Sequence, residues 1–238
     1  MEKMDREVVA VFGAHPDDLD WSCAGTAAMW AHNGKEVYYV LTTSGESGED
    51  HQRGLILPPS EMAEIREAEQ HLAATILGVK EVLFLRQPDG RLEPNLAFRD
   101  QIVNVLRRLK PHTVISMDPG HWSFENFYLH HPDHRATAIA VYDAIYPAAG
   151  TATYTPVPDL GLPPHKVREV FFSASAHPNV HVDISEVLEL KVQALTSHRS
   201  QLKDPEALAT IIRENAAKNG EKVGCHYAEL FRRMEVPQ

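Results

Sequence analysis

Cysteine is nearly absent from this chain, which has 238 residues and only two cysteines, Cys23 and Cys225. Two cysteines build neither a disulfide framework nor a cysteine-based zinc site. Any metal therefore has to be held by histidine and carboxylate side chains.

Long apolar runs and basic clusters are also missing. No stretch approaches the roughly 20 apolar residues of a membrane-spanning helix. The N-terminal sequence MEKMDREVVA lacks the basic start, apolar middle and small-residue cleavage site of a secretory signal. The formal net charge is -10, which argues against a nucleic-acid partner. We expect a cytoplasmic protein that binds neither membrane nor nucleic acid and takes a small neutral or cationic substrate.

Glycine-rich phosphate loops, of either the G-x-G-x-x-G or the P-loop type, do not occur, which weakens every nucleotide-binding alternative. The composition is that of a globular protein, with 43% hydrophobic and 24% charged residues. The length suits one large α/β domain, and we predict a single domain over residues 1–238.

Apolar runs typical of buried strands alternate with helical patterns along the first 146 residues, which predicts parallel βαβ units. The predicted strands cover 8–14, 36–43, 81–85 and 113–117. The predicted helices cover 25–34, 60–77, 96–109 and 135–146. Asn33-Gly34 is expected to end the first helix, and Ser60 and Gly78 to flank the second. This alternation predicts the α/β class with a mostly parallel sheet.

The remainder of the chain is predicted to complete the sheet and the pocket, over residues 167–238. A Pro/Gly/Thr-rich segment at 147–166 comes first and is interpreted as a surface loop. Further predicted elements are strands at 167–174 and 180–184, a helix from Ser185 with Asp183 as its cap, a helix at 204–217 and a terminal segment.

Two His-Pro-Asp segments carry the chemistry, GAHPDD at 13–18 and HHPDHR at 130–135. Each lies where a predicted strand, or the loop after it, enters a helix. Open parallel sheets bind ligands beyond the carboxyl ends of their strands, so both segments can reach one crevice. His15 and Asp18 are three residues apart, as are His131 and His134, which gives three or four candidate ligands.

An open His/Asp/His site is typical of catalytic zinc, which keeps its fourth position for water. Such a site lowers the pKa of bound water toward about 7, and a neighbouring carboxylate can accept that proton. His131 can stabilise an oxyanion and protonate a leaving amine. These parts predict metal-assisted amide hydrolysis by Zn²⁺, with Fe²⁺ or Co²⁺ also possible. Spacing alone leaves open which of Asp17 and Asp18 is ligand and which is base.

The pair of motifs, AHPDD after the first strand and HPDH opening a helix after the fourth, resembles the LmbE-like (PIG-L) superfamily of zinc-dependent N-deacetylases. LTTSGESG, IREAEQHLAATILGV and LTSHRSQ are similar to further family segments, whereas 147–166 carries no family signal. The resemblance implies a Rossmann-like sheet with helices on both faces. It also implies homo-oligomers, frequently trimers or hexamers.

The resemblance also implies a role for each motif residue. Asp17 is the base, and His131 is the acid and oxyanion stabiliser, oriented by Asp133. The three metal ligands that the resemblance implies are His15, Asp18 and His134. The expected substrate is a small molecule containing N-acetylglucosamine, from which an acetyl or other acyl group is removed.

Three further residues resemble family positions that contact the substrate, namely Arg66, Glu46 and Asp89. Each has an ordinary structural alternative: an exposed helix arginine paired with Glu69, a solvated loop acid, and the turn residue of Pro-Asp-Gly.

Several histidines have no assigned role. His198 lies in the family-like LTSHRSQ segment, His177 is interpreted as a loop residue, and His121 lies in the long loop before the second motif. Specificity is expected from the loops at 44–59, 86–95 and 118–130, together with 147–166.

Two rival functions remain. The sequence DLD at 18–20 imitates the Asp-x-Asp of sugar-nucleotide glycosyltransferases that use a divalent cation, but this leaves HPDH unexplained. A non-catalytic metal-binding protein predicts a missing base, whereas Asp17 is present.

Overall fold

The computed structural model describes residues 7–120 and 130–237. Within these ranges the strands are β1 (Val8–Gly13), β2 (Glu36–Leu41), β3 (Glu81–Phe84), β4 (Thr113–Met117), β5 (Glu169–Ser173), β6 (Val180–Asp183) and β7 (Ala228–Glu235). The α-helices are α1 (Asp18–His32), α2 (Pro59–Leu77), α3 (Leu96–Leu109), α4 (Pro132–Asp143), α5 (Leu188–Thr196) and α6 (Pro205–Val223). A π-helical segment (Ala144–Ala149) and a short 3-10 helix (Arg199–Gln201) complete the set. None of the helices in these ranges has the length and apolar character that a membrane crossing requires.

The seven strands form one sheet in the order β3-β2-β1-β4-β5-β7-β6. The first five strands pair in parallel. Strand β7 is antiparallel to both of its neighbours, β5 and β6. The predicted α/β class with a mostly parallel sheet is therefore confirmed.

Helices cover both faces of this sheet. Alternate residues of β1 point to opposite sides, because successive side chains of a strand do so. Val9 and Val11 pack into a core shared with α1, α2, α5 and α6. Ala10 and Phe12 pack into a second core with α3 and α4. Strand β1 is thus buried on both faces, which explains its continuous apolar sequence.

The prediction that Ser60 caps α2 is wrong. The helix begins at Pro59, and its N-cap is Pro58, which makes no side-chain capping hydrogen bond. Proline suits the first helical position because its φ is already helical and its missing N–H would have had no partner there. The predicted end at Gly78 is confirmed, since this residue has a φ of 76°.

The predicted cap of α5 is also wrong. Asp183 accepts hydrogen bonds from the N–H of Ser185 at 2.9 Å and from its hydroxyl, which closes a turn before the helix. Helix α5 starts only at Leu188, and its N-cap Val187 makes no side-chain capping bond. The capping pattern was present in the sequence, but it stabilises an isolated turn.

Helix α1 begins seven residues earlier than its predicted start at Gly25. The helix is interrupted at Cys23, whose φ of -148° and ψ of 17° are not helical. The prediction from the sequence covered only the part of the helix after Cys23. The part before Cys23 begins at Asp18, the last residue of the first motif. Its C-terminal stop at Asn33-Gly34 is confirmed, with a φ of 87° at Gly34.

A buried ion pair from the C-terminal region stabilises this break. The Glu229 carboxylate accepts hydrogen bonds from the N–H groups of Gly25 at 3.0 Å and Thr26 at 2.7 Å. The Nζ of Lys191 donates to Glu229 at 2.6 Å and to the carbonyl of Trp21 at 2.7 Å. A break in a helix leaves N–H and carbonyl groups such as these without partners inside the helix. Residues 167–238 therefore support the helix that follows the first motif.

The terminal segment, for which no strand was predicted, forms β7. Phe231 of this strand is fully buried, whereas residues 232–235 are exposed. The Nε of Arg233 lies 2.6 Å from the Glu169 carboxylate on β5. Its charged residues obscure the alternation of apolar and polar residues that would indicate a strand, and its pairing with β5 and β6 decides its conformation.

The segment at 147–166 packs against α3. The hydroxyl of Tyr154 and the N–H of Val157 donate to the two oxygens of Asp100, and Asn104 donates to the carbonyl of Pro158. The guanidinium of Arg107 donates to the carbonyls of Ala148, Ala149, Thr151 and Tyr154. These contacts join the segment to α3 and not to either His-Pro-Asp segment, so the expectation that this segment sets specificity gains no support from them.

Candidate active site

The two His-Pro-Asp segments lie side by side at the carboxyl edge of the sheet. GAHPDD follows β1, and HPDH opens α4, which begins at Pro132 rather than at the predicted 135. Strands β1 and β4 are neighbours, with Val9 opposite Thr113 and Val11 opposite Ile115. Adjacent parallel strands end at the same edge, so each delivers one half of the site.

The three predicted metal ligands come together at this edge. The Nδ1 of His15 lies 3.2 Å from the Nε2 of His134. Asp18 places one oxygen 3.4 Å from the Nδ1 of His15 and the other 3.1 Å from the Nε2 of His134. Ligand atoms around a tetrahedral zinc, with bonds of about 2.0–2.1 Å, are about 3.3 Å apart. The spacing and the N, N, O chemistry of these residues fit such a metal.

Backbone amides orient Asp18. Its Oδ2 accepts hydrogen bonds from the N–H groups of Ala14 at 3.1 Å and His15 at 2.8 Å. Burial raises the pKa of Asp18, but the imidazoles of His134 and His15 outweigh burial and hold the pKa well below its ordinary value. Asp18 is therefore ionised and fixed in place, as a metal ligand must be.

Asp133 contacts His15 through its carboxylate, which the sequence did not predict. Its Oδ2 lies 3.2 Å from the Nε2 of His15. The same carboxylate accepts from the N–H groups of Gly90 at 2.6 Å and Leu92 at 3.1 Å. Toward His131 it offers only its backbone N–H, 3.3 Å from the Nδ1. The carboxylate of Asp133 therefore contacts His15 and not His131, and an orienting role of Asp133 toward His131, through its backbone N–H, stays a prediction.

Asp89, a predicted substrate contact, lies behind His15 as well. Its Oδ1 is 3.0 Å from the Nε2 of His15, and its Oδ2 accepts from the N–H of Ser47 at 2.8 Å. Burial raises the pKa of Asp89, but His15 and the Ser47 amide outweigh it and lower the pKa to about 2. Burial lowers the pKa of His15, but Asp133, Asp18 and Asp89 together raise it well above its ordinary value. Carboxylates on the second nitrogen of a ligating histidine fix its ring and raise its basicity.

His131 caps α4 and borders the same point. Its Nδ1 accepts the N–H of Asp133, so the neutral ring carries its proton on Nε2. Its ring centroid lies 4.8 Å from that of His15 and 5.4 Å from that of His134. Burial lowers the pKa of His131, and the two neighbouring imidazoles lower it further. A neutral His131 is a hydrogen-bond donor through Nε2.

Asp17 sits at the N-cap of α1 with a φ of 93°, in the region that side chains other than glycine rarely adopt. One oxygen of its carboxylate lies 3.3 Å from the guanidinium of Arg66. Burial raises the pKa of Asp17, and the charge of Arg66 offsets only part of that rise. A carboxylate whose pKa is moved toward neutrality suits a general base.

Arg66 is buried, with 5% of its surface exposed. Its guanidinium donates to the carbonyls of Gly45 at 3.0 Å and Pro16 at 2.7 Å. The alternative of an exposed arginine paired with Glu69 is wrong, because Glu69 accepts from the N–H and the hydroxyl of Ser200, each at 2.7 Å. A substrate contact by Arg66 stays a prediction.

Glu46 accepts a hydrogen bond from the N–H of Asp89 at 2.8 Å, which ties the loop after β2 to the loop after β3. A cavity of about 390 Å³ opens beside this contact. It is lined by Ser44, Glu46, Pro59, Ser60, Ala63, Glu64, Glu67 and Arg86, and none of the three candidate metal ligands is among these residues. A substrate contact by Glu46 stays a prediction.

The other histidines named in the sequence analysis differ in burial. His198 is fully buried, and its Nε2 lies 2.8 Å from the Oδ2 of Asp20. His177 is exposed in the turn after β5, and its N–H donates to Ser175. His121 lies outside the described residues. Asp20 has no exposed surface, so the Asp-x-Asp interpretation of 18–20 does not present two accessible carboxylates.

Gln70 is a site residue that the sequence analysis missed. It is fully buried on α2, one turn after Arg66, and contacts both the backbone of Asp17 and the carboxylate of Asp20. The spacing of four residues from Arg66 was a signal that could have found it, because such residues share a helix face.

Comparison with known proteins identifies the family. The model of the PIG-L family, GlcNAc-PI de-N-acetylase, matches residues 10–145. The chain is 33% identical over 232 residues to the diacetylchitobiose deacetylase of Thermococcus kodakarensis, which covers 96% of this chain and 83% of that protein. It is 32% identical over 214 residues to the probable N-acetyl-alpha-D-glucosaminyl L-malate deacetylase 2 of Bacillus anthracis, with 84% and 83% covered.

A solved structure agrees with these relatives. The N,N'-diacetylchitobiose deacetylase from Pyrococcus horikoshii, complexed with an inhibitor, has a TM-score of 0.85 to this chain at 31% identity, and the match covers 97% of this chain and 84% of that one. The fold, the two motifs and the relatives thus agree, and the chain belongs to the PIG-L (LmbE-like) family.

Proposed function

We propose that this protein is a metal-dependent N-deacetylase that removes the acetyl or another acyl group from a small molecule containing N-acetylglucosamine. The observation that carries the proposal is the convergence of His15, Asp18 and His134 within 3.1–3.4 Å of one another. Support comes from the family and from relatives that bear the names of N-acetylglucosamine deacetylases.

His15, Asp18 and His134 would hold the metal. Zn²⁺ suits two imidazoles and one carboxylate, and Fe²⁺ or Co²⁺ are the other candidates. When bound, such an ion polarises a carbonyl group and lowers the pKa of water. Asp133 and Asp89 would keep the His15 ring turned with its Nδ1 toward the ion, because both carboxylates engage its Nε2.

Asp17 would act as the general base. It is ionised in its active form and accepts a proton from the water that attacks the amide carbonyl. Burial raises its pKa, which strengthens it as a proton acceptor, and the charge of Arg66 favours its ionised form. The proton it receives is then available for the leaving amine.

His131 would donate a hydrogen bond from Nε2 to the oxyanion that forms from the carbonyl oxygen. The Nε2–H is present in both the neutral and the charged ring, and the Asp133 N–H on Nδ1 and the lowered pKa favour the neutral ring. Protonation of the leaving amine by His131, which the family resemblance implies, needs the charged ring instead. The pH dependence of the reaction separates the two roles.

The test combines metal analysis with an acetate-release assay. Purified protein is assayed with diacetylchitobiose, N-acetylglucosaminyl malate and N-acetylglucosamine, beside the variant Asp18→Ala as a matched inactive control. Acetate release that follows metal content supports the proposal. Zinc binding without acetate release would favour the non-catalytic alternative, and cation-dependent transfer of a sugar from a nucleotide would favour the transferase.

A homo-oligomer, trimeric or hexameric, and a cytoplasmic location stay predictions. Sedimentation of the purified protein tests the first.

A further inference from the structure

One peptide group, between Pro16 and Asp17, is held from both ends by side chains of α2. Its carbonyl oxygen accepts a hydrogen bond from the guanidinium of Arg66 at 2.7 Å. Its N–H donates to the Oε1 of Gln70 at 3.0 Å. Arg66 and Gln70 are four residues apart and therefore lie on the same face of the helix. The two side chains fix the plane of this peptide.

The orientation of that plane sets the position of the Asp17 side chain. Rotation of the peptide changes the φ of Asp17, which is 93°. An aspartate in this region of φ is unfavourable unless the surrounding structure holds it there. The hydrogen bonds of the peptide with Arg66 and Gln70 provide that restraint directly before α1 begins.

Asp20 fixes which end of the Gln70 amide faces Asp17. A carboxylate only accepts hydrogen bonds, so the NH₂ group of Gln70 must point toward Asp20, whose Oδ2 is 2.7 Å away. The Oε1 is then left for the N–H of Asp17. The same Asp20 oxygen lies 2.8 Å from the Nε2 of His198. All three side chains are fully buried, so water does not compete for these bonds.

We propose that Gln70 is a positioning residue for the base Asp17, held in its orientation by Asp20 and His198. This inference rests on the proposed function for its kinetic part, because Asp17 acts as a base only there. Gln70 does not touch the substrate or the metal ligands. It acts by keeping the Asp17 peptide, and through it the carboxylate, in the geometry that the reaction requires.

The first measurement does not depend on activity. The hydrogen exchange rate of the Asp17 amide is followed by NMR in the wild type, in Gln70→Met and in Gln70→Asn. Methionine has a similar size but no acceptor, so the Asp17 amide should exchange about 10-fold faster, while the β1 amides remain unchanged. Asparagine keeps the amide group but is one methylene shorter and cannot reach both Asp17 and Asp20, so it should lose protection to a similar extent.

The second measurement is kinetic. With full metal content, Gln70→Met should lower kcat by about 10- to 100-fold and leave KM within about threefold, because the base is displaced but the substrate site is not. Gln70→Asn should lower kcat to a similar extent. When Asp17→Asn is already present, adding Gln70→Met should lower kcat by less than about threefold, because residue 17 then no longer acts as a base and its position matters little.

Gln101→Met on α3 is the matched control, since its described side-chain contact is with Gln87. Wild-type exchange and kcat in Gln70→Met would overturn the positioning role while the proposed function stands. Absence of acetate release by the wild type would contradict the proposed function, and the exchange rates would still decide whether Gln70 holds the Asp17 peptide. If Gln70→Met does not fold, Gln70→Asn decides: wild-type protection of the Asp17 amide in that variant overturns the inference, and faster exchange supports it.

Discussion

The Nδ1 of His15 lies 3.2 Å from the Nε2 of His134, although 119 residues separate the two histidines. The contact exists because β1 and β4 are adjacent and parallel, so the segments that follow them share one edge of the sheet. The first motif supplies two of the three candidate ligands, His15 and Asp18, and the second supplies His134. This dependence of each half on the other underlies the first prediction.

Replacing Asp18 with alanine should remove the metal. The variant loses the only carboxylate of the candidate ligand set, and we expect less than about one tenth of the wild-type metal content after gel filtration, with activity lost in parallel. Elemental analysis of protein purified without added metal provides the measurement. Near-stoichiometric zinc in Asp18→Ala would show that the ring nitrogens of His15, His131 and His134, which lie within 4.8 Å of one another, form the site instead.

Asp133→Asn should weaken metal binding without touching the substrate. The variant removes the charge that holds the Nε2 of His15 while leaving the ligand itself in place. Loss of such outer contacts lowers metal affinity by about 10- to 100-fold. Competition with a chelator measures the affinity, and KM at saturating metal should be unchanged.

The same experiment on Asp89 decides between its two interpretations. If Asp89→Asn weakens metal binding as Asp133→Asn does, Asp89 acts through His15, as its 3.0 Å contact indicates. A higher KM with unchanged metal affinity would instead restore the substrate contact predicted from the sequence.

Glu229→Gln should destabilise the protein. It leaves the buried Lys191 charge without its partner and weakens the support for the broken helix α1. Breaking one side of a buried ion pair costs about 3–5 kcal/mol of the free energy of unfolding. Denaturant unfolding gives this value. Glu189→Gln breaks an exposed pair with Arg213 and is the matched control, with an expected change below about 1 kcal/mol.

The parts of the fold that the sequence predicted are those with a strong local signal. Buried parallel strands such as β1 and β2 are continuous apolar runs, and their helices carry a clear period or a glycine stop such as Gly78. Strand β7 has neither signal, because charged residues interrupt its apolar sequence. Most of these charged residues face solvent or pair across the sheet. The break at Cys23 is likewise stabilised by Glu229, which is about two hundred residues away in sequence.

The candidate site divides in the same way. The two motifs predicted which residues meet, because strand ends of a parallel sheet converge. They did not predict what Asp133, Asp89 and Gln70 contact, because loop conformation and side-chain rotamers decide those contacts. The resemblance placed Asp133 beside His131, and the structure shows that a carboxylate two residues away can instead reach His15.

Asp17→Asn should retain the metal and lose turnover. Asparagine tolerates the same backbone conformation but accepts no proton, so kcat should fall by about 10² to 10⁴-fold. The base works only when ionised, so wild-type activity falls as pH drops through the pKa of Asp17. Burial raises that pKa, and the charges of Arg66 and of a bound cation oppose this rise. The residual activity of Asp17→Asn should lack the limb, and Asp159→Asn, an exposed loop change, should keep it.

His131→Ala should also retain the metal, because the Nδ1 of His131 is bonded to the backbone N–H of Asp133 and the three nearer ligand candidates remain. Loss of an oxyanion donor lowers kcat by about 10² to 10³-fold and leaves KM little changed. His177→Ala, on an exposed turn, is the control that should behave as the wild type.

The pH profile of His131→Ala then separates its two roles. As an oxyanion donor, His131 can act from the neutral and from the charged ring, so this role adds no limb to the profile, and the basic limb remains in the variant. A charged acid fails as pH rises through the pKa of His131, which lies below its ordinary value, and the variant would then lose the basic limb. The bond from the Asp133 N–H to Nδ1 favours the neutral ring, and we expect the basic limb to survive. Its loss would show that His131 protonates the leaving amine.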